Sequence, residues 1–171
     1  HPKIPGLFLL TAPARPHGRP VTEIQMADLL REVRRRFDFC LLDAPAGLGR
    51  GFQLATCAAD RCVVVTTADA SSLRDAQHTV MELDRFPSGA LHLVVNRVRK
   101  KLLRQLHATI DDAIDKAGLP LLGVVPEDDA LPLCMNRGVP ILLADGQSAA
   151  TAYRNIAKRL QGERVPLLRI R

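Results

Sequence analysis

Short apolar runs alternate with longer amphipathic segments along the sequence. The runs predict five strands, at residues 7–11, 37–43, 61–67, 90–96 and 119–125. Most of these runs are apolar without interruption, as in strands that are covered on both faces of a parallel sheet. Because most of the segments between them are long enough for a crossover helix, the pattern predicts an α/β fold with a mostly parallel sheet flanked by helices.

Apolar side chains spaced three and four residues apart predict the helices. These helices cover residues 22–36, 72–86, about 102–117 and 148–160. Thr22 and Gln25 fit a capping box at the start of the first helix. Leu106 belongs to the apolar stripe of the third helix, which Gly118 ends. Pro132 follows the last strand, so a helix in that region is expected to start late or to kink.

The composition is that of a globular protein. Of 171 residues, 47% are apolar and 25% are charged, and we interpret residues 1–171 as one domain or most of one. No apolar run approaches the roughly 20 residues that span a bilayer. The four cysteines show no CxxC spacing, which gives zinc or iron–sulfur ligation no support and favours a reduced, cytoplasmic protein.

The balance of charge is basic, with 24 Lys and Arg residues against 18 Asp and Glu residues and a formal net charge of +6. Such an excess suits contact with nucleic acid or anionic lipid. The alternative is that arginines decorate solvated helix faces, which the scarcity of aromatic residues for base stacking favours. The densest basic run comprises Arg97, Arg99, Lys100, Lys101 and Arg104.

Candidate chemistry lies just after the predicted strands, because open parallel sheets bind ligands beyond the carboxyl ends of their strands. The strongest segment is LLDAPAGLGRG, in which Asp43 ends an apolar run. A carboxylate there can hold a water on Mg²⁺ or order a catalytic water, and the glycine-rich loop can approach a phosphate. A plain turn before Pro45 is the alternative. The other strands are followed by residues 66–69, 96–97 and 126–127.

Several motifs occur together in a fixed order: DAPAGLGRGFQLA, RCVVVTTADASSLRDA, LVVNRV, PLLGVVPEDDA and NRGVPILL. In this order they resemble the MinD/ParA-type P-loop ATPases, and most of all the septum site-determining MinD proteins. The resemblance covers nearly the whole chain. It implies a SIMIBI-like P-loop NTPase fold with ATP and Mg²⁺ as cofactors.

The resemblance also implies a role for the segment after the second predicted strand. Its switch II would consist of Asp43, Ala44, Pro45, Ala46 and Gly47. Within it, Asp43 and Gly47 would be catalytic, and Asp43 would support Mg²⁺ indirectly. The glycine amide would sense the terminal phosphate of ATP.

The nucleotide base would be contacted by two pairs of residues, Asn96 with Arg97 and Pro126 with Glu127. Asp75 would pair with the signature lysine of the phosphate-binding loop. An asparagine at the end of a buried strand offers a donor and an acceptor to the polar edge of adenine. Two simpler interpretations stay open: Asn96 as a satisfied strand end, and Asp75 as a helix cap.

A phosphate-binding loop of the Walker A type is missing from the pattern. No lysine follows a glycine, and the sequence contains neither GKS nor GKT. The first residue is histidine rather than methionine. We therefore expect an N-terminally incomplete portion of such a protein, without ATP hydrolase activity on its own. The C-terminal stretch RVPLLRIR is short and contains Pro166, which speaks against the membrane-inserting helix typical of MinD proteins.

The leading hypothesis is a MinD-type ATPase that forms a homodimer with ATP and positions cell division, with MinC-like and MinE-like regulators. Such a protein would be cytoplasmic, with peripheral binding at the inner face of the cell membrane as an open question. One alternative is a ParA-like partitioning or flagellar-placement ATPase, for which the basic charge mildly favours DNA as a partner. Others are a nucleotide-free interaction module and an ATP-dependent biosynthetic relative that acts on small carboxylates.

Overall fold

The computed structural model describes residues 1–2, 4–11, 20–87, 89–105, 109–143 and 148–168. The chain divides into two compact units, His1–Pro45 with Gly49–Ala58, and Ala46–Leu48 with Ala59–Arg171. The smaller unit contains α1 (Glu23–Arg34) and α2 (Arg50–Thr56). The larger unit contains β1 (Cys62–Thr66), α3 (Ala70–Met81), β2 (Leu91–Val98), α4 (Lys100–Gln105), α5 (Ile110–Ala117), β3 (Leu121–Pro126), α6 (Ala130–Asn136), a 3-10 turn (Ile141–Leu143) and α7 (Ser148–Leu160). The interpretation of residues 1–171 as one domain stays a prediction.

The sheet of the larger unit has three strands in the order β1-β2-β3, and both pairings are parallel. Val64 lies opposite Leu93, and Val95 lies opposite Val124. These strands lie at the apolar runs at residues 61–67, 90–96 and 119–125, which confirms those three predictions, and β2 and β3 continue past their runs to Val98 and Pro126. The predicted fold class, a parallel sheet flanked by helices, is likewise confirmed.

The core of the larger unit covers both faces of the central strand. Leu93 and Val95 are 0% exposed and Val94 is 5% exposed, although successive side chains point to opposite faces of a strand. Helices α3 and α5 pack against β1 and β2, and α7 packs against β3. On the α7 side, Val94 and Leu122 join a cluster with the alanines of that helix. Burial on both faces explains the apolar runs of β2 and β3, whereas β1 leaves Val63 and Val65 exposed on one face.

The segment after α7 is fastened to the sheet by Arg159. Its guanidinium donates to the backbone oxygen of Leu122 at 2.6 Å and to that of Val165 at 2.7 Å. The last turn of α7 is thereby tied to β3 on one side and to the following segment on the other. Residues 169–171 of the RVPLLRIR stretch lie outside the described residues.

Two predicted strands are wrong. Residues 7–11 and 37–43 belong to no helix or strand, and their apolar side chains are largely solvent-exposed, with Leu9 at 86% and Leu41 at 88%. An apolar run becomes a strand only when a neighbouring strand accepts and donates its backbone hydrogen bonds. The described part of the chain pairs neither segment in a ladder. An edge-to-face contact between Phe8 and Phe37, with ring centroids 5.4 Å apart, links them.

The predicted helices are present, with two adjustments. The first is that α3 covers Ala70–Met81 and not residues 72–86. The capping box of Thr22 and Gln25 is formed at α1, and the last helix covers the predicted residues 148–160. The second is that the third predicted helix is two helices, α4 and α5, because Thr109 caps the start of α5. Leu106, between them, lies outside the described residues. Pro132 occupies the first turn of α6, where its missing N–H has no intrahelical partner to lose, so the helix starts late as expected.

Candidate functional site

A bulge interrupts the pairing of β2 with β3 close to the carboxyl end of the sheet. Val95 pairs with Val124 and Val98 pairs with Pro126, so two residues, Asn96 and Arg97, stand opposite one. Arg97 has φ 53° and is the one non-glycine residue with positive φ among the described residues. Bulges of this kind bend a strand and re-aim its side chains, and they are frequent beside functional sites.

Glu127 joins the end of β3 to this bulge. Its carboxylate accepts from Arg97 Nε at 3.2 Å and Nη2 at 3.3 Å, and Arg99 Nη2 lies 3.4 Å away. Its backbone N–H donates to the oxygen of Val98 at 3.1 Å. Hydrogen bonding and charge from Arg97, with a further contribution from Arg99, hold the pKa of Glu127 below its usual range. The carboxylate is therefore ionised at neutral pH.

Asn96 turns its side-chain oxygen back toward the chain. The oxygen Oδ1 accepts from the backbone N–H of Arg97 at 2.9 Å. Because a backbone N–H can only donate, the atom that it meets must be the amide oxygen and not the nitrogen. The NH₂ group of this half-buried side chain is left as its donor side. Sequence reasoning expected both a donor and an acceptor, and here one lone pair of the acceptor is already used.

The structure thus brings together the four residues predicted to contact a base. Asn96 and Arg97 form the bulge, and Pro126 and Glu127 follow directly across the β2–β3 pair. No described residue of the 340 Å³ apolar cavity beside α5 and Leu167 belongs to this set. The bulge site is therefore an open edge with directed polar groups, and that cavity is a separate feature of the packing.

A polar cluster follows β1. Asp69 is the N-cap of α3 and accepts from the backbone N–H of Ser72 at 3.0 Å. The hydroxyls of Thr67 and Ser71 also donate to it, and these bonds hold the pKa of Asp69 far below its usual range. Asp75 lies inside α3 with an exposed side chain, so the interpretation of Asp75 as a helix cap is wrong. Its pairing with a lysine stays a prediction.

The predicted switch II segment is exposed from Asp43 to Gly47. Gly47 has φ +85°, a conformation that favours glycine. Asp43, Ala44 and Pro45 belong to the smaller unit, and Ala46 and Gly47 are counted with the larger one. Within the smaller unit, Pro45 packs on Gly51 of α2 so closely that a Cβ there would overlap the proline ring. The catalytic roles of Asp43 and Gly47 stay predictions.

Sequence reasoning missed Asp128. Its carboxylate accepts from the backbone N–H groups of Ala130 and Ala149, each at 3.1 Å, and from the hydroxyl of Ser148 at 3.2 Å. These bonds, that to Ala149 foremost, hold the pKa of Asp128 below its usual range. The only sequence signal was an acidic residue beside the predicted base contacts, because its partners at the start of α7 lie 20 residues away.

The residues present do not make a metal site by themselves. Within the part of the chain that the structure describes, no group of three or more His, Cys, Asp or Glu side chains could hold a metal ion. One exposed carboxylate, Asp43, does not fit Mg²⁺ alone, since this ion is usually held by carboxylates together with substrate phosphates. The four residues at the bulge fit an uncharged base, for which donors and a flat edge suffice.

Among the described residues, no helix combines the length and apolarity that crossing a bilayer requires. Taken together, the parallel sheet flanked by helices and the polar groups gathered at its carboxyl edge define an α/β protein of the open-sheet kind, with polar side chains where such sheets bind ligands.

Comparison with known proteins gives the family. A family model described as cellulose biosynthesis protein BcsQ matches residues 15–160. The septum site-determining protein MinD of Synechocystis sp. is 32% identical over 169 residues, which are 97% of this chain and 63% of that protein. The MinD of Bacillus subtilis is 35% identical over 163 residues, 94% of this chain and 61% of that protein. The chain belongs to the BcsQ/ParA family of MinD/ParA-type P-loop ATPases.

Solved structures agree. The MinD cell division protein of Aquifex aeolicus superimposes with a TM-score of 0.81 at 30% identity, covering 87% of this chain and 64% of that one. A MinC:MinD complex from the same organism gives 0.81 at 29% identity, covering 88% and 63%. The chain thus spans about three fifths of the length of the curated relatives that it matches. The resemblance inferred from the motifs is confirmed.

Proposed function

We propose that this chain is a portion of a MinD-like ATPase and carries the contacts to the adenine base. The observation that supports this most is the bulge at Asn96 and Arg97, held against Glu127 by the two-point ion pair. It presents an amide donor, a guanidinium and a backbone turn at the carboxyl edge of a parallel sheet.

The phosphate groups and Mg²⁺ would be held by residues outside this sequence. The sequence has no glycine-lysine pair, and the relatives are longer than the part that this chain matches. In the complete protein, Asp43 and Gly47 would respond to the phosphates, and Asp75 would meet the lysine of the phosphate-binding loop. A MinD from Pyrococcus horikoshii, which shares the fold at 24% identity, was solved with Mg-ADP. The chain alone would bind the base and lack hydrolysis.

The cellular role that we propose is cell-division placement through an ATP-dependent homodimer in the cytoplasm. The support is the MinD relatives and the MinC:MinD complex among the similar structures, which together favour a MinC-like partner. A MinE-like regulator and peripheral contact with the membrane belong to the same proposal. Co-purification of the complete protein with a MinC from the same genome, dependent on ATP, tests it; no ATP-dependent complex would contradict it.

A second candidate is a partitioning or cellulose-related role, because the matching family model is that of BcsQ and a ParA-family ATPase of Chlorobium tepidum shares the fold. The exposed basic residues Arg99, Lys100 and Lys101 favour DNA in that case. Titration with non-specific duplex DNA separates the candidates. A steep weakening of binding with added salt supports the ParA-like role, and no binding at low salt excludes it.

The base site itself is tested with adenosine, a ligand without phosphates. In a ¹⁵N-labelled sample of this chain, millimolar adenosine should shift the side-chain NH₂ signal of Asn96. Asn96→Asp replaces that donor with a carboxylate and should abolish saturable binding. Asn136→Asp, an exposed residue on α6, makes the same chemical change away from the bulge and should bind as the parent does. Equal binding by both variants would contradict a base site at Asn96. No binding by the parent would instead favour a nucleotide-free interaction module.

A further inference from the structure

The carboxylate of Asp128 lies directly after the proposed base contacts and binds the start of two helices. Its Oδ1 accepts from the N–H of Ala130 in the first turn of α6. Its Oδ2 accepts from the N–H of Ala149 and the hydroxyl of Ser148 at the start of α7. One side chain therefore joins the loop after β3 to both helices that follow it.

The chemistry of these bonds makes the link a strong one. The first N–H groups of a helix have no partner within the helix, and a negative charge beside them is favoured by the helix dipole. Charge-assisted hydrogen bonds of this type are shorter and stronger than neutral ones. Asp128 is also half-buried, so competition from water is reduced. The lowered pKa of Asp128 keeps the carboxylate charged at neutral pH.

Glu127, the residue before Asp128, is held to the sheet and not to the helices. The N–H of Glu127 donates to the oxygen of Val98 at 3.1 Å, and its carboxylate meets Arg97 and Arg99. Glu127 thus binds the bulge on β2, while Asp128 binds α6 and α7. The two adjacent side chains hold the loop between the sheet edge and the helices, and release of either end frees the peptide between them.

We infer that Asp128 is a positioning residue for the base-contacting loop: by binding the N-termini of α6 and α7 it keeps Pro126 and Glu127 against the bulge at Asn96 and Arg97. This inference rests on the proposed function, since positioning the loop affects ligand binding only if the loop contacts the base. A carboxylate that merely capped α7 would stabilise that helix and leave Glu127 unchanged. The two roles therefore differ in what happens to Glu127.

The test compares Asp128→Asn with Asp129→Asn in this chain. Asparagine keeps the shape of aspartate but has one acceptor oxygen instead of two, so it can accept from the N–H of Ala130 or from that of Ala149 and not from both. Asp129 is an exposed neighbour whose side chain makes no capping hydrogen bond, so its substitution removes the same charge without touching these contacts. The measurement is amide hydrogen exchange by NMR at Glu127, with Leu93 in the central strand as the reporter of global opening.

Exchange at Glu127 should become about tenfold faster in Asp128→Asn, as expected for losing bonds to a charged group, and should stay at the parent rate in Asp129→Asn. Leu93 should exchange at the parent rate in both. Ser148→Ala removes one hydroxyl donor and no charge. It should also speed amide exchange at Glu127, but by a smaller factor. The inference would be overturned if the exchange rate at Glu127 were unchanged in Asp128→Asn, or if exchange at Leu93 were accelerated by the same factor.

Adenosine titration separates this inference from the proposed function. The dissociation constant should rise about tenfold in Asp128→Asn and stay unchanged in Asp129→Asn. Unchanged affinity in Asp128→Asn, with the parent binding normally, overturns the positioning role while the base site stands. No adenosine binding by the parent overturns the base site, and the exchange rates then decide whether Asp128 holds the loop.

Discussion

Arg97 and Glu127 meet at two points across the ends of two neighbouring strands, with Nε to Oε2 at 3.2 Å and Nη2 to Oε1 at 3.3 Å. The same arginine holds a left-handed backbone at φ 53°. With its side chain 66% exposed, the pair contributes at most about 1 kcal/mol. The left-handed conformation costs about 1–2 kcal/mol in a residue with a Cβ. Strain and ion pair are therefore of similar size, so stability alone does not explain this residue.

Substitution of Arg97 separates the two effects. Arg97→Ala loses the ion pair and keeps the strain, whereas Arg97→Gly loses the ion pair and relieves the strain. After subtraction of the larger chain entropy of unfolded glycine, the Gly variant should be more stable than the Ala variant by about 0.5–1 kcal/mol. Urea unfolding followed by circular dichroism measures this difference. An Ala variant as stable as the Gly variant would show that the backbone is not strained here.

The contact of α7 with β3 depends on Gly123. A Cβ at this position would overlap Cγ1 of Ile156 well inside van der Waals contact. Ile156 packs against the buried cluster, so it has little freedom to move aside. Gly123→Ala should therefore destabilise the chain by about 1–3 kcal/mol, the usual cost of overpacking. The midpoint of thermal unfolding is the measurement.

Its control is a double-mutant cycle with Ile156→Ala, which removes the overlapping atoms. The two substitutions should cost less together than the sum of their separate costs, because the small side chain at 156 makes room for the new methyl group. Strict additivity would show that the overlap is relieved by a shift of the whole helix.

The sequence predicted the three strands of the sheet because each contains an apolar run, which in β2 and β3 reflects burial on both faces. The same rule failed at residues 7–11 and 37–43, where the runs are equally apolar. An apolar run indicates that a segment is suited to a buried strand. It does not indicate whether a neighbouring strand is present to pair with it. Helix ends were predicted closely where a local cap exists, as at Thr22.

The candidate site was predictable in part, for a physical reason. Asn96 and Glu127 were recognised because they lie at the ends of strand-like runs. The bulge at Arg97 depends on the register between β2 and β3, which no local pattern encodes. The bonds of Asp128 likewise depend on where α7 begins in space. Properties that arise from pairing distant segments needed the structure.

Acid should weaken the cap of α3 through Asp69. Its pKa in the folded chain lies below that of an unfolded aspartate, so its bonds stabilise the fold fully above about pH 5 and are lost as the pH falls through 4 and lower. Asp69→Asn keeps a good N-cap but cannot change its charge. It should lose less stability than the parent between about pH 5 and 3.

The comparison uses Asp84→Asn, an exposed aspartate after α3, as the matched control. Thermal unfolding at a series of pH values gives the slope of stability against pH for each protein. If Asp69→Asn shows the same loss with acid as the parent and the control, the cap of α3 does not carry the acid sensitivity.

Exposed apolar side chains should make this chain self-associate. Leu9, Leu10 and Leu41 are more than 80% exposed, and they lie in segments whose backbone is not paired in a ladder. Replacing Leu9 and Leu41 with glutamine should reduce the association, measured by sedimentation velocity at increasing concentration. Met81→Gln, which changes one exposed residue on a formed helix, should have no such effect. A monodisperse, cooperatively melting parent would contradict the prediction.

Nucleotides that differ only in phosphates should bind this chain almost equally. No residue of the sequence forms a glycine-lysine loop, and the guanidinium groups of Arg97 and Arg99 are already partly neutralised by Glu127. Adenosine, ADP and ATP should therefore have dissociation constants within about threefold of one another, since phosphate contacts would otherwise add charge-assisted hydrogen bonds. Asn96→Ala should weaken all three to the same extent, because it alters only the base contact. Calorimetric titration of the three ligands against parent and variant is the measurement. ATP binding a hundredfold tighter than adenosine would reveal a phosphate site within this chain and would contradict the proposal that other residues hold the phosphates.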